Sequence, residues 1–344
     1  MNIEMHKEKV LTVVVPTYNA EKYLRDNLES FLIKPIMDEL EILIINDGST
    51  DGSLDIAMEY VRQYPATFCV ISKENGGHGS GINCGIKHAH GKYFKVVDAD
   101  DWVDPDALCK LMDVLRTSNS DIVYSGFYWV YDDGRNDKAV FEKRAEIKEP
   151  FKNVAYNQEY LFDEIADRLY IKMHSMTIRT ELLRRGNVVI TEHCFYVDTE
   201  YITYPIPYVK TIQFVDAFVY MYRIGNSGQS VSIEKMQRNE TNYDTVLLSL
   251  LTFYKKLGQE IPCTAEKKAY IAGLIARVVA GKIKIMLSFP PSRKKKQELK
   301  QFERTLHDEY PDVYKSNINS AIKLLRVSNY LLYYPASVMV RKKY

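Results

Sequence analysis

The sequence predicts an α/β fold, in which a mostly parallel β-sheet is covered by helices and followed by a helical C-terminal subdomain. Between residues 10 and 130, short β-branched and other apolar runs alternate with segments of helical periodicity. This alternation is typical of parallel strands joined by right-handed helical crossovers. From about residue 233 the periodicity is helical only. We therefore predict two domains, 1–232 and 233–344.

The first domain is predicted to contain strands at 10–15, 41–45, 68–72, 93–97 and 122–130. Asn19, Asp51 and Asp104 each stand where a side chain can cap the helix that follows. Residues 75–81 predict a glycine-rich loop that leads into a helix ending at Gly91.

After residue 131 the periodicity is weak, and at least one further strand region is predicted, from 170–178 and 188–190. Helices are predicted at 243–257, 265–287 and from about 293 to 309.

Charge and cysteine content exclude several classes of protein. Lysine and arginine number 46 against 45 acidic residues, a net charge of +1, so no overall field attracts nucleic acid. The five cysteines include no C-x-x-C pair, which argues against a disulfide framework or a zinc site and favours the reducing cytoplasm.

The C-terminal tail is the part of the chain that could touch a membrane. No apolar run reaches the roughly 18 residues needed to span a bilayer. Residues 330–340 are apolar, however, and Arg341, Lys342 and Lys343 follow them. This pattern fits either peripheral contact with the inner face of the membrane or a docked helix with a solvated end.

The strongest chemical signal is Asp98-Ala99-Asp100-Asp101, directly after a predicted buried strand. Three carboxylates in four residues repel one another unless a cation or hydrogen-bond donors lie between them. Oxygen ligands of this kind suit Mg²⁺ or Mn²⁺ bound together with substrate phosphates. The alternative is that Asp101 and Asp104 cap the following helix.

Taken together, four segments resemble glycosyltransferase family 2, whose members have the Rossmann-like GT-A fold. The segments occur in the family's order, and the resemblance covers residues 8–130. They are Val-Val-Pro-Thr-Tyr-Asn at 14–19, Asn-Asp-Gly-Ser-Thr-Asp-Gly-Ser at 46–53, Glu-Asn-Gly-Gly at 74–77 and Asp-Ala-Asp-Asp at 98–101.

The resemblance implies a role for each matching residue. Asp47 would accept a hydrogen bond from the base, although it could instead be a turn-forming residue. Asp98 would contact the ribose or the metal, and Asp100 would be the principal ligand of Mn²⁺ or Mg²⁺ at the diphosphate. The remaining residues of the nucleotide pocket would be Pro16, Thr17, Tyr18, Asn75 and Gly76.

Asp198, in the segment 195–201, resembles the family's catalytic base. The family usually has glutamate where this chain has Val197, and Arg-Asn where it has Ile82-Asn83. Glu200 is the substitute candidate for the base. The alternative is that Asp198 is a carboxylate stabilised at a helix N-terminus.

Arg223 lies in a polar segment, 222–230, where relatives close over the donor. It would either pair with the diphosphate or be a solvated loop residue. His78, His174 and His193 could each contact metal or acceptor, and the sequence assigns none of them a role.

The resemblance implies a metal-dependent, inverting transfer of sugar from a nucleotide-diphosphate sugar to a hydroxyl acceptor. By family habit the donor is a UDP-sugar, and the acceptor is a saccharide or lipid-linked molecule of surface polysaccharide or glycolipid synthesis. A non-catalytic sugar-nucleotide or glycan-binding module remains an alternative because of Val197. A dinucleotide-binding oxidoreductase does not fit, since the glycines at 77–81 follow the third strand with the wrong spacing.

Overall fold

The computed structural model describes residues 8–131, 142–146, 151–224 and 233–343. The chain divides into two compact units, Met1–Ser227 and Gly228–Tyr344. The predicted boundary between residues 232 and 233 adjoins residues outside the described ranges, and it stays a prediction.

The first unit is built around one sheet. Its strands are β1 (Leu11–Thr17), β2 (Leu40–Asn46), β3 (Phe68–Ser72), β4 (Tyr93–Val96), β5 (Trp102–Val103), β6 (Ile122–Tyr131), β7 (Glu142–Ala145), β8 (Glu159–Leu161), β9 (Met176–Arg179) and β10 (Thr211–Ile224).

The helices of this unit lie between the strands, with short 3₁₀ turns at Met37–Glu39, Ala166–Arg168, Met173–Ser175 and Ile206–Tyr208. The α-helices are α1 (Glu21–Glu29), α2 (Ser53–Gln63), α3 (Gly77–His88), α4 (Pro105–Thr117), α5 (Phe162–Ile165), α6 (Thr180–Arg185) and α7 (Asp198–Thr203).

The strand order is β3-β2-β1-β4-β9-β6-β10-β5, and β7 and β8 pair with β6 and β10. The strands β3, β2, β1 and β4 are parallel, as the alternating pattern predicts. Beyond β4 the sheet is mixed, because β9 is antiparallel to both β4 and β6 while β10 runs parallel to β6. The α/β fold with a mostly parallel first half is therefore confirmed.

The central strands are buried on both faces, which explains their continuous apolar sequence. Val13 and Val15 of β1 belong to a core cluster that includes Leu24 of α1 and Ile56 of α2. Val14 points the other way, against α3. Helices thus cover both faces of the parallel part of the sheet and leave its carboxyl edge for polar residues.

Four details of the predicted helices are wrong. Asp51 does not cap α2, whose N-cap is Gly52. Asn19 does not cap α1; it has φ 49° and its side chain accepts from Thr50 N at 2.8 Å. Asp101 does not cap α4, whose cap is Asp104, as predicted. The stretch from Gly77 to Gly81 is not a loop, because α3 begins at Gly77.

The second unit is helical in its described residues. Of the predicted helices, those at 243–257, 265–287 and 293–309 are confirmed to within a few residues. The helices are α8 (Ile233–Arg238), α9 (Glu240–Lys256), α10 (Ala265–Ser288), α11 (Arg293–Glu309), α12 (Pro311–Lys315), α13 (Ser320–Val327) and α14 (Tyr333–Lys343).

α10 is the central helix of this unit and packs against α9, α12 and α14. Among the described helices, none combines the length and apolar character needed to cross a bilayer.

Candidate functional site

The site lies at the carboxyl edge of the parallel strands. Thr17 at the end of β1 pairs with Asn46 at the end of β2, and Asp47 N donates to Thr17 O at 2.9 Å. Asp98 follows β4, the neighbour of β1 on its other side. Loops from separate motifs therefore meet where open α/β sheets bind ligands.

Asp47 joins the second and third motifs. Its carboxylate is buried and accepts from Gly76 N at 2.9 Å, from Gly77 N at 2.7 Å and from Lys73 Nζ at 2.7 Å. Asn75 Nδ2 donates to the carbonyl oxygen of Asp47 at 2.9 Å. Gly77 has φ 79°, a conformation that favours glycine. Asp47 thus orders this turn, and the contact with a base stays a prediction.

The first motif gives this part of the edge one exposed aromatic ring. Thr17 is buried and its hydroxyl donates to Val15 O at 3.0 Å. Pro16 packs against Gly81 of α3. Tyr18 is 55% exposed, so its ring is the part of this motif available to a ligand.

The loop 98–101 is held from two sides. Asn27 of α1 donates from Nδ2 to the carbonyl oxygens of Asp98 and Asp101, at 3.0 and 2.8 Å. The buried Asp101 carboxylate accepts from Tyr220 OH at 2.5 Å and from Arg223 N at 2.7 Å. These bonds fix the loop while Asp98 is half-buried and Asp100 is exposed.

The crowding of carboxylates shifts their ionisation. Desolvation in the cleft and the charge of Asp98 raise the pKa of Asp100 to about 6. Burial and the charges of Asp100 and Asp98 raise the pKa of Asp101 well above its usual range. Burial opposes the charge of Asp98, but the charge and hydrogen bond of His78 hold the pKa of Asp98 below its usual value. The carboxylates of the loop therefore resist ionising together, and a bound cation would favour their charged forms.

The side chains fit a divalent cation of the Mn²⁺ or Mg²⁺ type. One ligand atom each of Asp98, Asp101 and His174 lie within 4.8 Å of one another. Both oxygens of Asp101 already accept hydrogen bonds, and Asp101 is only 1% exposed. Asp98 and the exposed Asp100 are the carboxylates more open to an ion shared with phosphates.

A second segment, residues 190–194, is tied to α3. Asn83 accepts from Ile190 N and donates to Ile190 O, both at 2.8 Å. His193 N donates to Gly76 O at 2.5 Å. A Cβ atom on Gly79 would lie 2.2 Å from Thr191 O, so glycine permits this close packing.

Glu200 holds the same segment by hydrogen bonds, so its carboxylate is not available as a base. It is fully buried, and its carboxylate accepts from Thr191 N at 2.7 Å and from Thr191 Oγ1 at 2.8 Å. The prediction of Glu200 as the substitute base is therefore wrong.

Strained backbone precedes Asp198. His193 and Tyr196 have φ of 53° and 67°, conformations that are uncommon outside glycine. Such strain concentrates at functional sites, where the surrounding structure maintains it. It places Asp198 as the first residue of α7, exposed to solvent.

His78 is the residue through which the separate motifs meet. Its Nε2 lies 2.7 Å from Asp98 Oδ1. Burial would lower its pKa, but the charges of Asp98, Asp198 and Asp100 raise the pKa of His78. Partial desolvation by neighbouring protein atoms raises the pKa of Asp198, the charge of His78 lowers it and the charge of Asp98 raises it. The loop 98–101 and Asp198 therefore lie within electrostatic reach of the same imidazole.

Arg223 is not a solvated loop residue. It belongs to β10 and is 4% exposed, and its guanidinium lies 4.8 Å from the ring centre of Tyr23 and 4.6 Å from that of Trp102. Its Nε donates to Asp100 O at 2.9 Å, and its Nη2 lies 3.2 Å from Asp26 Oδ2. Arg223 supports the acidic loop; pairing with a diphosphate stays a prediction. Residues 225–230 of its segment lie outside the described ranges.

The other two histidines differ from His78. His174 packs among the rings of Phe127, Tyr220 and Tyr222, and burial lowers its pKa to about 4. Its ring is therefore neutral and can act as a ligand. His193 is exposed and contributes the backbone bond to Gly76.

Comparison with known proteins agrees with this geometry. Residues 12–186 match Glycosyl transferase family 2. The "Uncharacterized glycosyltransferase EpsJ" of Bacillus subtilis is 26% identical over 269 residues, which are 76% of this chain and 74% of that protein.

Solved structures share the fold. S. aureus TarS matches with a TM-score of 0.63 and 20% identity over 95% of this chain, which spans only 55% of TarS. TarS 1–349 in complex with UDP-GlcNAc matches with a TM-score of 0.59 and 19% identity, covering 97% of this chain and 91% of that one. The mannosyltransferase PcManGT from Pyrobaculum calidifontis, in complex with GDP-Man and Mn²⁺, matches with a TM-score of 0.51 and 14% identity, covering 97% and 87%.

Proposed function

Since the chain belongs to Glycosyl transferase family 2 and is a glycosyltransferase, we propose that it moves a sugar from a nucleotide-diphosphate sugar to a hydroxyl acceptor, with inversion at the anomeric carbon. One observation carries the proposal. Asp98 and Asp100 from one loop and Asp198 from another all act on the ionisation of His78, which supports the proposal that they belong to one site.

Asp198 is proposed as the base. It is exposed at the start of α7, and desolvation in the cleft raises its pKa above that of an ordinary aspartate. A carboxylate with a raised pKa accepts the proton of an acceptor hydroxyl more readily. The hydroxyl oxygen then attacks the anomeric carbon opposite the diphosphate. One base and one displacement invert the configuration, so an α-linked donor gives a β-linkage.

Asp100, supported by Asp98, is proposed to hold Mn²⁺ or Mg²⁺. The ion, when bound, acts as a Lewis acid that stabilises the charge of the departing diphosphate. Asn27, Tyr220 and Arg223 contribute by keeping the loop in place, as their bonds to Asp98, Asp100 and Asp101 indicate. Preorganised groups of this kind spend no free energy on reorganisation during the reaction.

A UDP-sugar is the proposed donor, supported by the TarS complex with UDP-GlcNAc. Pro16, Thr17, Tyr18, Asp47, Asn75 and Gly76 are the proposed pocket for the nucleoside. The acceptor is proposed to be a saccharide or a lipid-linked molecule of surface polysaccharide or glycolipid synthesis. None of the five cysteines forms a disulfide in the described structure, which supports action in the reducing cytoplasm.

A thermal-shift panel of nucleotide sugars with and without Mn²⁺ tests the donor class. A ligand that binds only the folded protein raises its melting temperature by mass action. We expect UDP-sugars to stabilise the protein more in Mn²⁺ than in EDTA. Equal shifts in both conditions would remove the metal from the proposal, and no shift with any nucleotide sugar would remove the donor site.

The stereochemistry of the product tests the mechanism. Proton NMR of the product made from an α-linked donor should show a β-anomeric signal, and an α-product would contradict the single displacement. If a nucleotide sugar binds but no acceptor from a glycan or lipid-linked panel is glycosylated and no donor is hydrolysed, the chain acts as a non-catalytic binding module.

A further inference from the structure

The outward side of α14 is apolar although its inward side is already docked. Tyr333 and Ser337 are fully buried, and Ser337 Oγ donates to Leu287 O at 2.7 Å. On the opposite side, Tyr334, Val338 and Met339 are 44%, 43% and 72% exposed. The docked helix predicted as one alternative is therefore present, but its free side is not polar. Docking within this unit leaves these three side chains in solvent.

The preceding helix α13 and the turn after it also expose apolar side chains. Leu324 and Val327, three residues apart on one side of α13, are 57% and 87% exposed, and Leu331 in the turn is 76% exposed. We call Leu324, Val327, Leu331, Tyr334, Val338 and Met339 the C-terminal apolar face. Single exposed apolar residues are normal, but residues 324–339 expose seven, these six and Leu332, a concentration that favours an interaction surface.

The chain segment that carries this face has charges of one sign. Residues 313–343 contain no aspartate or glutamate, whereas Lys323, Arg341 and Lys342 are basic and exposed. The basic run 293–296 approaches the face as well, because Lys296 Nζ lies 5.8 Å from the ring centre of Tyr334. Arg326 is not counted, since it pairs with the buried Glu303.

We propose that the C-terminal apolar face docks on an anionic lipid surface. Exposed apolar side chains beside lysine and arginine fit the boundary between acyl chains and negative headgroups. A second copy of this chain is the less suitable occupant, because a two-fold contact through the face would bring like charges together. The inference does not depend on the proposed function.

Vesicle sedimentation of the full chain tests the docking. Vesicles of phosphatidylcholine alone are compared with vesicles that also contain phosphatidylglycerol, at low and high salt. We expect binding to the anionic vesicles only, weakened by salt. The variant with Val327→Glu and Met339→Glu should lose this binding, and each of Arg341→Gln and Lys342→Gln should weaken it about fivefold.

Leu248→Glu is the matched control, because Leu248 is a helical residue of the same unit and is 65% exposed. It should bind as the parent does, and circular dichroism should show that all variants are folded. The docking proposal is overturned if the parent does not bind anionic vesicles, or if the double variant binds as well as Leu248→Glu.

Measuring self-association tests the alternative occupant, a second copy of this chain. Light scattering that shows a dimer of the parent, lost in the double variant without any vesicle binding, would assign the face to a second copy and overturn the lipid proposal. UDP binding is measured on the same samples, since its loss bears on the proposed function and leaves the docking result unaffected.

Discussion

The two parts of the proposed site are built differently. The proposed donor side, residues 98–101, is fixed by buried side chains of α1 and β10, among them Asn27 and Tyr220. The proposed acceptor side, residues 190–198, has little regular structure and contains two non-glycine residues in left-handed conformations. A loop with several carboxylates needs many hydrogen-bond donors to hold them together, whereas a single base needs only the correct orientation. Charge density and backbone strain are thus separate ways of preparing a site.

Replacing Asp100 should have the largest effect on the donor side. Asp100→Asn removes the charge most exposed to an ion, so the affinity for UDP in Mn²⁺ should fall on the order of 100-fold, the upper range for residues that support a bound metal. Isothermal titration calorimetry measures this. EDTA should weaken UDP binding by the parent to the level of the variant and should leave the variant unchanged.

Asp106→Asn is the control, because Asp106 is a nearby exposed acid at the start of α4. If both variants bind UDP equally in Mn²⁺, the affinity depends on overall negative charge and not on Asp100. The proposed difference between the donor side and the acceptor side would then lose its support.

Replacing Glu200 tests how the acceptor side is held. In Glu200→Met the side chain can accept neither bond from Thr191, so buried donors are left unpaired. We expect the free energy of unfolding in urea to fall by about 2 kcal/mol, with UDP affinity unchanged. Glu181→Met, at an acid that is 72% exposed on α6, should change stability little. An unchanged stability with abolished turnover would instead make Glu200 the base.

A smaller effect on stability is expected for Lys95, which lies on β4, the strand that precedes residues 98–101. Lys95 is fully buried on β4, and burial lowers its pKa from 10.5 to about 7. The unfolded chain therefore binds more protons between these values, so Lys95 makes the protein more stable as the pH rises above 7. Relative to Lys95→Met, the parent should gain about 1 kcal/mol per pH unit between pH 7 and 9.

Urea unfolding at several pH values measures the effect of Lys95. Lys87→Met, at an exposed lysine of α3, should follow the parent at every pH. If the free energy of unfolding depends on pH in the same way for the parent and Lys95→Met, the ammonium of Lys95 is not desolvated. The donor side would then be less buried than described.

Much of the donor side could be predicted from local sequence. Buried apolar runs identify β1, β2 and β4, and the residues that follow parallel strands meet at one edge. Asp98 and Asp100 could be placed there for that reason. Asn19 shows the limit of local reasoning. Its side chain could cap a helix, but it accepts a hydrogen bond from Thr50 N instead.

The supporting contacts could not be predicted, since they join residues far apart in the chain. β10 was not predicted, and it supplies Tyr220 and Arg223 to the acidic loop. Glu200 and Asp198 look equivalent in sequence, and only their burial separates them. His78 had a signal, a titratable side chain inside a glycine-rich stretch, but its contact with Asp98 depends on the start of α3.

The most direct test of the account is the behaviour of Asp198→Asn with saturating donor. We expect UDP-sugar affinity to stay within about twofold of the parent while the single-turnover rate falls about 10²- to 10⁴-fold, the contribution of a general base. Glu192→Gln, at an exposed acid of the same segment, should retain the parent rate. An Asp198→Asn protein that transfers sugar as fast as the parent would contradict the account.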